Sequence, residues 1–152
     1  MEISEFRLRR PLRVRWAEVD KQSIVFNGHY FLYFDVATTE YWRAIGFTYP
    51  DSFAALGGDL FAVKADAEFI KPAKFDDELE IGCRVSQLGR SSITLTFGVF
   101  RHDELLTHGT LIYVFASLPE RQSAPIPEQL KTAISQFEIL PPSLKAQATP
   151  KN

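Results

Sequence analysis

A chain of 152 residues, 45% hydrophobic and 24% charged, is most simply one domain able to bury a core of its own. Its net charge of −2 comes with no basic stripe, which argues against nucleic-acid binding; its single cysteine, Cys83, excludes an internal disulfide and a cysteine-based zinc site. No stretch approaches the roughly 18 apolar residues of a membrane span, and the residues after Met1 carry no apolar signal segment, so no span and a cytoplasmic location are expected.

Residues 6–16 alternate, with Leu12, Val14 and Trp16 on one side and Arg13 and Arg15 on the other. That pattern predicts a first strand, and Pro11 confines it to a strand start or a sheet edge. A polar loop with Glu18 and Asp20 follows, then the apolar run Ile24-Val25-Phe26, and Asn27-Gly28-His29 opens a long helix. Tyr30, Phe34, Ala37, Tyr41 and Ile45 recur at spacings of 4, 3, 4 and 4, the period of a helix that buries one face. Phe31, Tyr33 and Trp42 lie off that stripe, so the helix is expected to be a core helix sheathed by other elements. Asn27 suits the N-cap and Gly46 a left-handed C-cap. From Thr48 to Gly58 the chain is expected to be a loop, either a pocket lid or a connector.

The period then changes from 3.6 to 2. Alternation runs through Phe61–Phe69, Leu79–Val85, Ile93–Val99 and His108–Ser117, with turns at Gly89-Arg90 and at Arg101–Glu104. Four consecutive strands with short links predict an antiparallel meander. The last is apolar on both faces, which places it in the sheet interior or against another subunit. Pro127 suits the first position of a short helix carrying Leu130, Ile134 and Phe137. The expected organisation is a single domain over residues 1–140 and a disordered tail over 141–152. One long helix and a five-stranded antiparallel sheet make an α+β domain; if the sheet curls around the helix, the arrangement is the hotdog fold, whose open edges pair with a second subunit.

No nucleophile elbow, glycine-rich phosphate loop or H-E-x-x-H spacing is present. The remaining chemistry sits in the loop. Asp20 stands seven residues before Asn27, where the chain must fold back over a helix start. It is either a solvated or capping carboxylate or the acid of an acyl-transfer site. In the second case unpaired N–H groups of the first helical turn hold the oxyanion, while the carboxylate attacks or activates water.

The run Val14-Arg-Trp-Ala-Glu-Val-Asp20, three further residues, then Ile24-Val-Phe-Asn-Gly-His-Tyr30 resembles the 4-hydroxybenzoyl-CoA thioesterase family of hotdog acyl-CoA thioesterases. The likeness extends through Phe69–Asp77 and the Gly89-Arg-Ser-Ser92 turn. It implies an acyl-CoA thioester hydrolase that releases free CoA and a carboxylic acid, with Asp20 as nucleophile or general base. It further implies that the Asn27 and Gly28 amides form the oxyanion site and that Arg90 meets the coenzyme A phosphates; His29, at the helix start, either orients water or substrate or is a capping or packing histidine. No metal or prosthetic group is implied, coenzyme A being part of the substrate, and a homodimer or homotetramer is expected. The acyl group is expected among Phe26, Tyr30 and Phe31. The family pattern has Gly where Ser23 stands, so a positive φ there would strain this loop. Two other readings stay open: a hydratase or dehydratase built on His29 and Glu40, and a non-catalytic acyl-CoA binding module.

Overall fold

The computed structural model describes residues 1–145. Strand β1 (Leu8–Arg13) leads through a short 3-10 turn at Trp16–Glu18 to helix α1 (His29–Ala44) and the five-residue α2 (Asp51–Ala55). Then come β2 (Gly58–Phe69), β3 (Glu78–Leu88), β4 (Ser92–Arg101), β5 (Glu104–Ser117), β6 (Gln122–Ser123), α3 (Glu128–Phe137) and β7 (Ser143–Leu144). The long strands lie in the order β1-β3-β4-β5-β2, all antiparallel, curled around α1 as a hotdog fold.

The expected meander holds from β3 to β5 but not at its start. β2 pairs with β5, from Gly58 opposite Ser117 to Phe69 opposite Thr107, and not with its sequence neighbour β3. The reason lies in the link Ile70–Asp77, whose first amides, Ile70 N–H and Lys71 N–H, donate to Leu106 C=O and swing the chain across the sheet end. β5 therefore sits between β4 and β2, which accounts for its apolar residues on both faces. Pro11 does fall on an edge strand, since among the described residues β1 pairs only with β3. Trp16 leaves the expected strand face; it is 74% exposed and packs edge-on against Phe75 at 5.1 Å.

Helix α1 lies across the concave face. Tyr30, Phe34, Ala37 and Tyr41 of the expected stripe are buried, and so are Tyr33, Thr38 and Trp42. Phe34 stacks on Phe97 of β4 with ring centroids 4.5 Å apart, a pair worth about 0.5–1.5 kcal/mol beyond its buried area. That closeness needs Gly109 on β5, where a Cβ would meet Asp66 O at 2.4 Å and the Phe34 ring at 2.7 Å. The sheath is one-sided, however: Phe31, Leu32 and Val36 on the outer face remain exposed.

The helix ends differ from expectation at one side only. Gly28, with helical φ and no side-chain cap, occupies the N-cap, so Asn27 does not cap α1. Gly46 takes φ +86 and closes the C-terminus, with Phe47 N–H donating to Trp42 C=O. The segment after it holds α2 with Phe53 buried. In α3, Pro127 is the N-cap rather than the first helical residue, and Leu130 and Ile134 are buried. At the tail, residues 143–144 add a short parallel strand to β3 instead of being disordered, and Lys145 N–H donates to Leu88 C=O. The remainder of that expected tail, residues 146–152, lies outside the described residues. Among the described residues no helix is long and apolar enough to cross a membrane.

Candidate active site

The site begins with the turn that precedes Asp20. Glu18 is 3% exposed and accepts three hydrogen bonds: from Arg15 N–H at 2.9 Å, Arg15 Nε at 2.8 Å and the Tyr33 hydroxyl of α1 at 2.7 Å. Burial alone would raise its pKa, but the Arg15 backbone N–H, the Tyr33 hydroxyl and the Arg15 guanidinium together hold it below the usual carboxylate value. Burial and then the Glu18 carboxylate push the Tyr33 hydroxyl up. Glu18 is thus a charged anchor between the turn and the first part of the helix. Its own carbonyl accepts Phe26 N–H at 2.9 Å.

From that anchor the chain makes a small hairpin. Val19 bridges Val25, Asp20 N–H donates to Ile24 C=O at 2.9 Å, and Ser23 N–H donates to Asp20 C=O at 2.9 Å. Ser23 takes φ +63, the left-handed conformation in which Gly is least strained. The departure from the family pattern therefore strains the loop without unfolding it. Asp20 Oδ1 accepts Gln22 N–H at 2.7 Å, and the carboxylate is half-buried.

The hairpin delivers Asp20 beside the start of α1. Val25 N–H donates to Ala73 C=O, and Ala73 N–H donates to the Tyr30 hydroxyl at 3.2 Å, which ties the loop to the β2–β3 link. The first helical amides are occupied: His29 N–H donates to Phe26 C=O and Tyr30 N–H to Asn27 C=O. The amides of Asn27 and Gly28 donate to no backbone acceptor among the described residues. Asp20, Asn27 and Tyr30 share a cavity of about 250 Å³, whose far wall is Phe69 and Ile70. Asp20 and Asn27, whose amide has no backbone acceptor, thus line one small and mostly apolar space.

The other candidates lie outside that cavity. The His29 ring packs edge-on against Phe26, 6.2 Å between centroids. Phe26 and Phe31 are exposed, leaving Tyr30 as the aromatic residue of the expected acyl set that lines the cavity. Glu40 pairs with Arg43 on the helix surface. It stands about 16 Å along the axis from His29, so no His29–Glu40 pair is assembled. Arg90 is exposed on the β3–β4 turn, at the opposite end of the sheet. The wall residue Phe69 pairs with Thr107, whereas Ser91 accepts the N–H of Phe115, eight residues further along β5. At ~3.4 Å per residue the separation is about 27 Å.

A larger groove of about 490 Å³ runs beside β1, lined by Glu78, Glu80 and His102, but it lies away from the start of α1, and its Arg13 is already tied to Asp76 and Glu78. Among the described residues no three His, Cys, Asp or Glu side chains gather as metal ligands. The anchoring role of Glu18 was not readable from the sequence. The Arg15-x-x-Glu18 spacing fits a reciprocal turn cap, but the partner Tyr33 is fifteen residues on and is found only by folding.

The family model described as "Thioesterase superfamily" matches residues 22–108, more than half of the chain. A protein of Aquifex aeolicus named as a candidate esterase is 34% identical over 60% of this chain and 70% of its own length. The acyl-CoA thioesterase YbgC of Haemophilus influenzae is 27% identical over 81% of this chain and 90% of its own. Among solved structures, a Thermus thermophilus thioesterase complexed with coenzyme A and Zn superposes with a TM-score of 0.77 at 26% identity, covering 90% of this chain and 98% of that one.

Proposed function

Because the chain belongs to the thioesterase superfamily, we propose that it hydrolyses acyl-CoA thioesters at the Asp20 cavity, releasing free CoA and a carboxylic acid. One observation carries the reading: the Asp20 carboxylate and the unpaired amide of Asn27 line the same cavity at the start of α1. The thioester carbonyl oxygen accepts the Asn27 and Gly28 N–H groups, and charge building on it in the transition state meets the positive end of the helix. One such donor is worth about 2.7–4 kcal/mol, a factor of ~10²–10³ in rate. Asp20 supplies the rest, either attacking the carbonyl carbon or taking a proton from the attacking water, for a further ~10²–10⁴. The acyl group lies against Tyr30, Phe69 and Ile70. This chemistry calls on no metal or prosthetic group.

A second copy completes the site. The outer edge of β2 is a twelve-residue strand with no partner on that side among the described residues; it contains no proline and exposes Val63 and Phe69. Such an edge invites pairing with its own kind. Antiparallel β2–β2 pairing sets the Gly58 end of one copy beside the Phe69 end of the other. It thereby carries Arg90 of the partner subunit toward the cavity that its own Arg90 cannot reach. The neighbours named as acyl-CoA or coenzyme A proteins support the choice of substrate.

The test is release of free thiol, read with DTNB, across aryl, short and long acyl-CoA esters. Wild-type protein is expected to hydrolyse at least one class, and Asp20→Asn to lower kcat by about 10²–10⁴. An Asp20→Asn protein with full activity would sink the mechanism, and a wild type that binds every ester yet releases no thiol would make the protein a binding module.

A further inference from the structure

We propose that Tyr30 sets the acyl specificity of the Asp20 cavity by donating its buried hydroxyl proton to an uncharged oxygen substituent, hydroxy or oxo, on the acyl group; the proposal rests on the hydrolase reading above. Three tyrosines of α1 are buried, Tyr30 and Tyr33 at 2% exposure and Tyr41 at 0%. Two of them donate to a carboxylate, Tyr33 to Glu18 at 2.7 Å and Tyr41 to Glu138 at 2.6 Å. Tyr30 does not. Its hydroxyl accepts Ala73 N–H at 3.2 Å, and among the described residues its own proton meets no acceptor. Asp20, which lines the same cavity, accepts Gln22 N–H instead. A hydroxyl is both donor and acceptor, and buried ones are seldom left half used. The bond from Ala73 also polarises the O–H and strengthens it as a donor.

The surroundings of the hydroxyl decide what receives its proton. Tyr30 lines the cavity, and its ring is held edge-on by Phe69 at 5.3 Å and by Tyr33 at 5.7 Å. Its hydroxyl reaches the β2–β3 link at Ala73, next after the lining residues Ile70, Lys71 and Pro72. The thioester carbonyl oxygen is held elsewhere, at the Asn27 and Gly28 amides, so the acyl group is the part of the substrate that runs along Phe69 and Ile70 to this hydroxyl. A hydrocarbon chain there leaves the donor unpaired in a mostly apolar space, whereas a hydroxy or oxo oxygen satisfies it. A carboxylate on the acyl group is disfavoured: Lys71, the one cation among the lining residues, is paired with Glu104, and Asp20 repels a second acid. The cavity of about 250 Å³ amounts to on the order of eight water-sized groups at ~30 Å³ each, which limits the acyl group to a short chain.

The experiment measures kcat/KM by thiol release for β-hydroxybutyryl-CoA and acetoacetyl-CoA against butyryl-CoA, three esters of equal chain length. Wild type is expected to favour the two oxygen-bearing esters by about tenfold to a hundredfold, the worth of one buried donor paired and not stranded. Tyr30→Phe keeps the ring and should bring that ratio close to one, mainly through loss on the oxygen-bearing esters. Were Tyr30 only a support for Ala73, the variant would lose activity on all three esters together and keep the wild-type ratio, which overturns the proposal. A wild type that treats the three esters alike, or prefers butyryl-CoA, overturns it as well, and this comparison decides the matter even if Tyr30→Phe does not fold. A wild type that hydrolyses only long-chain or aryl esters overturns the proposal and leaves the hydrolase reading standing. If wild type hydrolyses no ester at all, the hydrolase reading fails. Calorimetric affinities of the same three esters for the intact protein then decide the role of Tyr30: tighter binding of the oxygen-bearing pair supports it, and equal affinities overturn it.

Discussion

The two ends of α1 are held by the same device with opposite electrostatic outcomes. At the first end the Tyr33 hydroxyl donates to Glu18 at 2.7 Å; at the second the Tyr41 hydroxyl donates to Glu138 at 2.6 Å, and Val85 N–H donates to the same oxygen at 2.7 Å. Glu18 has the Arg15 guanidinium and backbone N–H as well and is held below its ordinary value. Burial raises Glu138 above its ordinary value, against the pull of Tyr41, Val85 and the more distant Arg84 and Arg7, and its Oε2 has no hydrogen-bond partner. Around the second end the chain is closed off, with Gly46 and Phe47 completing the helix and α3 leading into Glu138. Around the first, Asp20 and Asn27 line a cavity, and the amides of Asn27 and Gly28 donate to no backbone acceptor among the described residues. A helix clamped rigidly at both ends can leave one set of donors unused, and the unused set is where charge can be stabilised without reorganisation.

Single substitutions break or sharpen that contrast. The largest effect on folding is expected from Glu18→Ala, which strands the Tyr33 hydroxyl and the Arg15 amide. About 3 kcal/mol should be lost in urea unfolding, and kcat should fall with it because Asp20 and the Asn27 amide lose their common anchor. Glu138→Ala should cost a similar or smaller amount, about 2 kcal/mol, but leave kcat per folded molecule unaltered. If Glu138→Ala instead lowers kcat as much as Glu18→Ala does, the division between an active and a purely structural end is wrong.

Next in size is a difference in pH dependence. Glu18, depressed below 4.5, contributes stability that is present above its unfolded pKa and is lost as pH falls through the folded one. Glu138, raised above 4.5, contributes stability that is complete below its unfolded pKa and is lost as pH rises through the folded one. Thermal melts of wild type and Glu138→Gln across pH 4–8 should therefore agree best at the acid end, where Gln stands in for the protonated acid, and separate as pH rises, the wild type falling below the variant. The same comparison with Glu18→Gln should also separate as pH rises from the acid end, but with the wild type rising above the variant. The smallest effect concerns the loop backbone. Ser23→Gly should stabilise the protein by about 0.5–1 kcal/mol by relieving a positive φ, whereas Gly46→Ala should destabilise it by about 1 kcal/mol for the converse reason.

Local periodicity made α1 and the strands β3, β4 and β5 readable, because side chains two or three to four apart share a face whatever the tertiary context. The order of the sheet was not readable at β2. Its alternation is equally compatible with either neighbour, and the choice rests on Ile70 and Lys71 donating to Leu106 across the sheet end. The one-sided cover of α1 was hidden for the same reason, since Phe31, Leu32 and Val36 look like core residues in a list. At the site, the placement of Asp20 and Asn27 followed from the loop motif. The helix cap did not, because Gly28 enters helical φ before Asn27 can turn its side chain to cap. That Arg90 lies far from Asp20 of its own chain could not be read either, since the distance is set by the length of β5 and not by any local pattern.

The β2–β5 pairing also has a consequence for the order of synthesis. The ribosome completes β2 at Phe69 but does not finish its partner until Ser117, 48 residues later. At ~5–20 residues per second the interval is about 2–10 s. Through that interval the aromatic helix and a lone strand precede the sheet that will cover them. Nascent chains of this protein should accordingly bind a hydrophobic-segment chaperone most strongly when arrested between those two points, and release it once β5 has emerged.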